Sequence, residues 1–322
     1  RAERPVLYVG GGVVSSGASD ELRALAELMQ IPVVTTLMGK GAFPASHELN
    51  LGPVGMHGSK YANLAMTESD LIIAAGARFS DRVTGRLDEF APKAEVIHID
   101  IDPAEIGKVR EAQIPIVGDL KGVLGGIVAQ LSKEGASPET AAWVAQIAEW
   151  RRRHPFYHPN VGDAPGEIVP EVVMEKLSDA LDPEHSIVVT EVGQHQMWAA
   201  QHIARECPRS FISSGGLGTM GFGFPASIGA AIGCPERYMP VISFSMDNSS
   251  EAGNSSTSGK AISSLGACPI ASKKPIWPSR FCFFSASRLS STVSAARDQW
   301  VPSAPYVHSI CISPPSSMVS MK

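Results

Sequence analysis

The sequence predicts an α/β protein: a doubly wound parallel sheet with helices on both faces, followed by a second, truncated α/β domain. Three patterns carry this. Short runs that are apolar at successive positions, such as Leu71-Ile72-Ile73-Ala74-Ala75, alternate with segments of helical period. Runs of that kind suit strands buried on both faces, and strand–helix alternation produces parallel sheets. A third pattern is the presence of glycines directly after several runs, at the carboxyl edge where such sheets bind ligands.

Val6-Leu7-Tyr8-Val9 is the first strand and stops at Gly10-Gly11-Gly12. Asp20 is placed to cap a helix with Leu22, Leu25, Ala26, Leu28 and Met29 on one face. Pro32 to Thr36 is the next strand. A helix over Tyr61 to Met66 precedes the strand from Leu71, and Val96 to Ile99 and Ile114 to Val117 supply two more strands. A helix over Leu120 to Leu131 closes a first domain, residues 1–131. Residues 132–166 read as an interdomain connection with a helix over Trp143 to Arg153, and Arg151, Arg152 and Arg153 on a solvated face. Residues 167–246 form the second domain. Pro170 opens a helix striped by Val173, Leu177 and Leu181. Ile187-Val188-Val189 is a strand, Gln196 to Ile203 a helix, Phe211-Ile212 a strand, and Ala226 to Ile232 a helix behind Pro225. The loop before that last helix carries Gly215, Gly216, Gly218, Gly221 and Gly223. A glycine-rich turn ahead of a helix suits a diphosphate, although an ordinary connection rich in glycine has the same pattern.

Length and composition fit this reading. The 322 residues are 44% hydrophobic and 18% charged with net charge −5, which suits a globular chain of two domains and points away from nucleic acid. No apolar run reaches the ~18 residues of a membrane helix. Five cysteines without CxxC spacing indicate neither a zinc site nor a disulfide framework. A cytoplasmic protein is the default expectation, with an organelle open because the chain reads as beginning mid-protein.

At the carboxyl ends of the first domain's strands stand Gly10 to Gly12, Thr36-Leu37-Met38, Gly76-Ala77-Arg78, Asp100-Ile101 and Gly118-Asp119. A dinucleotide would use the glycines for close backbone approach, Arg78 as a forked donor to phosphate and Asp100 toward a ribose hydroxyl. A triple glycine without a full GxGxxG is equally compatible with a tight turn. His98 reads as structural and is given no role.

TTLMGKGAFP, GMHGSKYANLA, GARFSDRVTGRLDEFAP and VIHIDIDPAEIGK, with EVGQHQMWAAQ and GGLGTMGFGFPASIGAAIGCP, closely resemble acetohydroxyacid synthase (acetolactate synthase), large catalytic subunit, a thiamine-diphosphate enzyme family. The resemblance covers most of residues 1–242. It implies a Rossmann-like central domain that holds FAD in extended form. Gly10, Gly11, Gly12 and the Gly76-Ala77-Arg78 turn would lie near the diphosphate. Thr36, Leu37 and Met38, with Gly55, Met56 and His57, would line the flavin. Asp100, Ile101, Gly118 and Asp119 would hold the adenosine end, and Arg82 and Val83 would also face the cofactor. Ser80 departs from the family, which has two aspartates after the equivalent of Phe79. In the second domain, Val192, Gly193, Gln194 and His195 would contact the diphosphate of thiamine diphosphate. Gly218, Thr219 and Met220 would lie beneath its aminopyrimidine. Met197 and Trp198 would stand at the substrate-channel mouth, where spacing alone favours plain core packing.

The resemblance stops after Val241-Ile242. The family continues with Gly-Asp-Gly and, later, an Asn, which hold Mg²⁺ through oxygen ligands. Here Asp247 falls in the aspartate's register when the strand is aligned, but about two residues late when counted from Cys234-Pro235. Both glycines are replaced, by Met246 and Asn248, so Asp247 is read as a coincidence. Residues 247–322 hold 20 serines and only three acidic residues, and read as a non-native or disordered tail. The family's catalytic Glu belongs to a preceding domain, so the chain reads as a fragment that is inactive alone. The implied parent reaction joins the two-carbon unit left by decarboxylating pyruvate to a second 2-oxo acid, in branched-chain amino-acid synthesis. The family also implies a homo-oligomer and a small regulatory subunit. The alternatives are a related thiamine-dependent carboligase or oxidase, and a nucleotide-binding module without catalysis.

Overall fold

The computed structural model describes residues 2–156 and 169–237, together with the strands 241–243, 281–285 and 307–311. These divide into two compact units, residues 1–184 with 200–211, and residues 185–199 with 212–322.

The first unit is built on a six-stranded, all-parallel sheet. Its strands are β1 (Pro5–Val9), β2 (Val33–Thr35), β3 (Asn50–Pro53), β4 (Leu71–Ala75), β5 (Glu95–Asp100) and β6 (Ile114–Val117), in spatial order β3-β2-β1-β4-β5-β6. The doubly wound fold expected from the alternation is therefore present. Chain order reverses between β1 and β4, so the crevice for a ligand opens at their carboxyl ends. The connections are α1 (Gly11–Ser16), α2 (Ser19–Met29), α3 (Lys60–Glu68), α4 (Asp81–Thr84) and α5 (Leu120–Glu134). Both faces of β1 are sealed. Val6 and Tyr8 pack into one core with Ala62, Met66 and Phe79, and Leu7 and Val9 into the other with Leu22, Leu25 and Leu124.

Several local expectations are corrected. β3 has the sequence Asn-Leu-Gly-Pro, which carries no strand signal; it forms because β2 offers a free edge, with a register shift at Val33/Val34. Asp20 is not the cap of α2. The N-cap is Ala18, without a side-chain bond, and Asp20 and Glu21 sit in the first turn, where the helix dipole favours them. The helix expected in the connection is α6 (Ala141–Arg153), and it belongs to the first core: Trp143 and Ile147 are buried beside Val6 and Tyr8, and the Trp143 indole donates to the Pro5 carbonyl at 3.1 Å. Only Arg152 and Arg153 lie on a solvated face, paired with Glu149. Arg151 donates to the Asn50 carbonyl and lies over the Tyr61 ring.

α7 (Pro170–Ala180) starts on its proline, where a missing N–H costs nothing. The second unit's sheet contains β7 (Val188–Thr190), β8 (Phe211–Ile212), β9 (Val241–Ser243), β10 (Phe281–Ser285) and β11 (Val307–Cys311), in order β10-β11-β9-β7-β8. The division between units falls within α8 (Gln194–His202), which follows β7. α9 (Gly223–Gly233) follows β8, and Ile187 and Val189 are buried with Ala226 and Ala230 against them. β10 and β11 come from the serine-rich tail and pair in parallel with each other, and β11 with β9. The aromatic run Phe281-Cys282-Phe283-Phe284 has the strand propensity that the surrounding composition masks. The rest of the tail lies outside the described residues.

Candidate functional site

In the first unit the predicted residues gather where β1 and β4 end. Gly10 N–H donates to the Ala75 carbonyl at 3.0 Å and Gly12 N–H to the Gly76 carbonyl at 3.2 Å. A Cβ on Gly10 would lie 2.0 Å from the Gly76 oxygen, and one on Gly12 would lie 2.6 Å from the Gly76 Cα. Two of the three glycines are thus required by the packing of one turn on another, whatever binds above them. Gly76 itself has φ +58°, and three residues on Phe79 has φ +55°, a left-handed conformation that a buried aromatic residue adopts only under constraint. Between them Arg78 is exposed, with no hydrogen bond or ion pair among the described residues. An unpaired guanidinium beside a glycine turn at the switch point suits an anion.

The other ends of the strands complete the rim. Thr36 Oγ1 accepts from Gly39 N–H at 3.1 Å and holds the 3₁₀ turn Leu37–Gly39, which presents Met38 to solvent. Gly55 is clamped by Asn63, whose Oδ1 accepts from Gly55 N–H at 2.8 Å and whose Nδ2 donates to the Gly55 carbonyl at 3.0 Å. Met56 N–H donates to the Arg82 carbonyl at 2.8 Å, and a cavity of about 270 Å³ is lined by Gly55, Met56, Asn63, Arg82 and Val83. His57 is exposed, with its carbonyl accepting from Gln201 at 2.9 Å. Asp100 is buried and its Oδ1 accepts from Asp102 N–H at 3.0 Å. Gly118 N–H donates to the Asp100 carbonyl, which joins the ends of β5 and β6. Asp119 is the N-cap of α5 and its Oδ1 is committed to Lys121 and Gly122 N–H. Ser80 is the N-cap of α4 through its backbone carbonyl, which a serine serves as well as an aspartate.

Met38, Met56 and Ile101 are 46%, 64% and 71% exposed. Three large apolar side chains held in water along one sheet edge mark a surface shaped for a flat, partly apolar ligand. With Arg78 and Asp100 on the same edge, the donor set fits a dinucleotide such as FAD.

In the second unit, Gly193 takes φ +147° and Gln194 opens α8. His195 is 3% exposed, and burial pushes its imidazole down to about 4, against the opposing pull of a hydrogen bond to the Glu191 backbone and, after it, of the Glu191 charge. It is neutral at physiological pH, so any contact with a diphosphate is that of a neutral donor. The folded pKa lies below the ordinary 6.5, so between those values the unfolded chain binds the extra proton. Stability of this unit is expected to fall on acidification from about pH 6.5 to 4, by on the order of 3 kcal/mol. Urea titrations at a series of pH values check this, with His195→Gln flattening the profile. Met197 and Trp198 are half-buried on α8, which matches core packing as well as a channel mouth. Gly218, Thr219 and Met220 are exposed, Gly218 with φ +66°, and Leu217 and Met220 stand 93% and 72% in solvent.

The glycine-rich loop does not offer the N-terminus of α9 to a phosphate, contrary to the simple expectation. The Glu191 carboxylate fills it, accepting from Phe222 N–H at 3.1 Å and Gly223 N–H at 2.9 Å, and from Val192 N–H at 3.1 Å. Glu191 thereby ties the turn that enters α8 to the start of α9, which directly follows the loop of Gly218 to Met220. Ser213 makes a second tie, accepting from Gln196 Nε2 at 2.6 Å and sharing a 2.7 Å bond with Thr190 Oγ1. Sequence reasoning missed both; the available signal was a carboxylate directly after a buried strand and ahead of a glycine loop. Among the described residues no cluster of His, Cys, Asp or Glu suits a metal ion, and no helix is long and apolar enough to cross a membrane. Asp247 lies outside the described residues.

Two family models and several curated proteins match this chain. Residues 1–127 match the family described as thiamine pyrophosphate enzyme, central domain, and residues 191–250 match its C-terminal TPP binding domain. The chain is 54% identical over 242 residues to the acetolactate synthase large subunit of Parasynechococcus marenigrum, covering 75% of this chain and 38% of that protein. It is 54% identical over 236 residues to an acetolactate synthase of Mycobacterium bovis, covering 73% and 38%. It is 52% identical over 252 residues to a probable acetolactate synthase large subunit of Methanocaldococcus jannaschii, covering 76% and 42%. The chain thus spans about two fifths of the length of these curated relatives, and the matches do not favour a different thiamine-dependent carboligase or oxidase. With two domain models of one family matching residues 1–127 and 191–250, and acetolactate synthase large subunits as its relatives, the chain belongs to the thiamine pyrophosphate enzyme family.

Proposed function

We propose that this chain supplies the FAD-binding central domain and part of the thiamine-diphosphate-binding domain of an acetolactate synthase large subunit. The whole protein would condense pyruvate with a second 2-oxo acid in branched-chain amino-acid synthesis, as a homo-oligomer with a small regulatory subunit. The observation that carries the FAD reading is the edge at the β1–β4 switch point, where unpaired Arg78 stands on the same rim as exposed Met38, Met56 and Ile101 and buried Asp100.

When bound, thiamine diphosphate supplies the electron sink for decarboxylation and carbon–carbon bond formation. This chain's residues bind and orient. Arg78 would neutralise a diphosphate of FAD, Asp100 would accept from a ribose hydroxyl, and Met38 and Met56 would cover the ring system from water. In the second unit, the Val192–His195 and Gly218–Met220 loops would hold thiamine diphosphate, with His195 as a neutral donor and Met220 offering apolar surface. Mg²⁺ is proposed from the family alone, and no step is derived through it.

The test is flavin binding by the purified 322-residue chain, read by absorbance and fluorescence. Arg78→Ala is expected to weaken FAD by roughly 1.5–3 kcal/mol, the worth of a hydrogen bond to a charged group. Unchanged affinity would remove Arg78 from the site.

A further inference from the structure

We propose that His98 is a positioning residue for Arg78: it fixes the turn that carries the guanidinium and so pre-organises the FAD diphosphate clamp. The inference rests on the FAD reading above and extends it to a residue with no ligand contact of its own.

His98 lies on β5 and is 1% exposed. Its Nε2 stands 3.0 Å from the Ala77 carbonyl. A carbonyl oxygen only accepts, so Nε2 carries the hydrogen and His98 is the donor. Nδ1 is then a bare acceptor, and it is buried without a hydrogen-bond partner. Val96, two residues earlier on the same face of the strand, shows that an apolar residue fills this side of the sheet without leaving such an atom unsatisfied. Burial also holds the imidazole below its ordinary range, so the ring is neutral. A histidine retained at that cost points to the one bond it makes.

That bond meets a specific need. The turn from Gly76 to Phe79 leaves regular structure, with left-handed residues at both ends, and no backbone N–H among the described residues reaches the Ala77 carbonyl. The Phe79 ring, 1% exposed, stands edge-on to the His98 ring at 5.2 Å and 86°, with Tyr8 on another side at 5.2 Å. His98 therefore grips the residue before Arg78 through a hydrogen bond and the residue after it through ring contact. The backbone of Arg78 is fixed from both sides while its side chain remains unpaired. A clamp held this way loses less freedom on binding than one carried on a loose loop.

The experiment is a double-mutant cycle on FAD affinity in the full 322-residue chain. His98→Leu keeps an apolar side chain of similar reach and removes the donor; His98→Gln places an amide N–H near the position of Nε2. His98→Leu is expected to weaken FAD roughly tenfold. In an Arg78→Ala background the same change is expected to cost less than about twofold, because it acts through Arg78. His98→Gln is expected to recover most of the loss. Equal losses with and without Arg78, or no loss at all, would overturn the proposal. Hydrogen exchange in the ligand-free chain gives a second reading. His98→Leu is expected to speed exchange in peptides spanning 76–80, with β1 and β4 still protected, and unchanged exchange there counts against it. Should the leucine variant not fold, His98→Asn, too short to reach Ala77, takes its place. If the parent chain binds no FAD, the FAD reading falls while the exchange result still decides whether His98 holds the turn.

Discussion

Replacing Trp143 by Ala is expected to destabilise the first unit by about 3–5 kcal/mol, the range for deleting a buried aromatic side chain. Trp143 is 2% exposed in the core that also holds Val6, Tyr8 and Ile72. Its indole N–H donates to the Pro5 carbonyl, its ring meets Trp150 edge-on at 5.6 Å, and the Arg4 guanidinium lies over it at 5.8 Å. It therefore joins α6 to the start of β1 across 138 residues of sequence. Trp143→Phe keeps much of the ring volume and drops the donor, so it should cost less, with about 1 kcal/mol for the bond itself. Urea unfolding followed by far-ultraviolet circular dichroism measures both. A change of only about 0.5 kcal/mol, as for a surface site, would mean that residues 141–153 are a mere connection after all.

The second large effect is expected at Glu191. Its carboxylate accepts from three backbone N–H groups, two of them at the N-terminus of α9, where negative charge is favoured. Glu191→Ala should cost the second unit roughly 2–3 kcal/mol, combining a lost helix cap with charge-assisted hydrogen bonds. Glu191→Gln should retain part of this, since its amide oxygen still accepts but its NH₂ faces amide donors. Gly223 belongs to the same device: a Cβ there would stand 2.9 Å from the Glu191 backbone nitrogen and 3.2 Å from its carboxylate. Gly223→Ala should therefore reproduce much of the loss. Hydrogen exchange over peptides 191–196 and 218–224 reads the result directly. Both segments should gain exchange together, because one side chain ties them. Independent behaviour of the two segments would refute the tie.

Local pattern determined a good deal of this protein. The apolar runs of β1, β4 and β5 predicted strands because a parallel sheet buried on both faces requires unbroken hydrophobicity. Pro170 predicted the start of α7, because a proline at a helix's first position forfeits no bond. The glycine turns and Arg78 were readable as candidates for an anion, since their chemistry travels with their side chains. Tertiary structure alone decided what depends on partners distant in sequence. The two outer glycines of Gly10 to Gly12 are fixed by Gly76, an edge strand of Asn-Leu-Gly-Pro forms only because β2 can pair with it, and α6 takes its place from a core built by β1. His98 and Glu191 are alike in this respect. A buried histidine and a carboxylate after a strand look ordinary in sequence, because the acceptor of one is 21 residues away and the farther donors of the other are 31 and 32 away. A hydrogen bond is set by positions in space, and nothing in the local spacing of a chain encodes where a distant backbone group will stand.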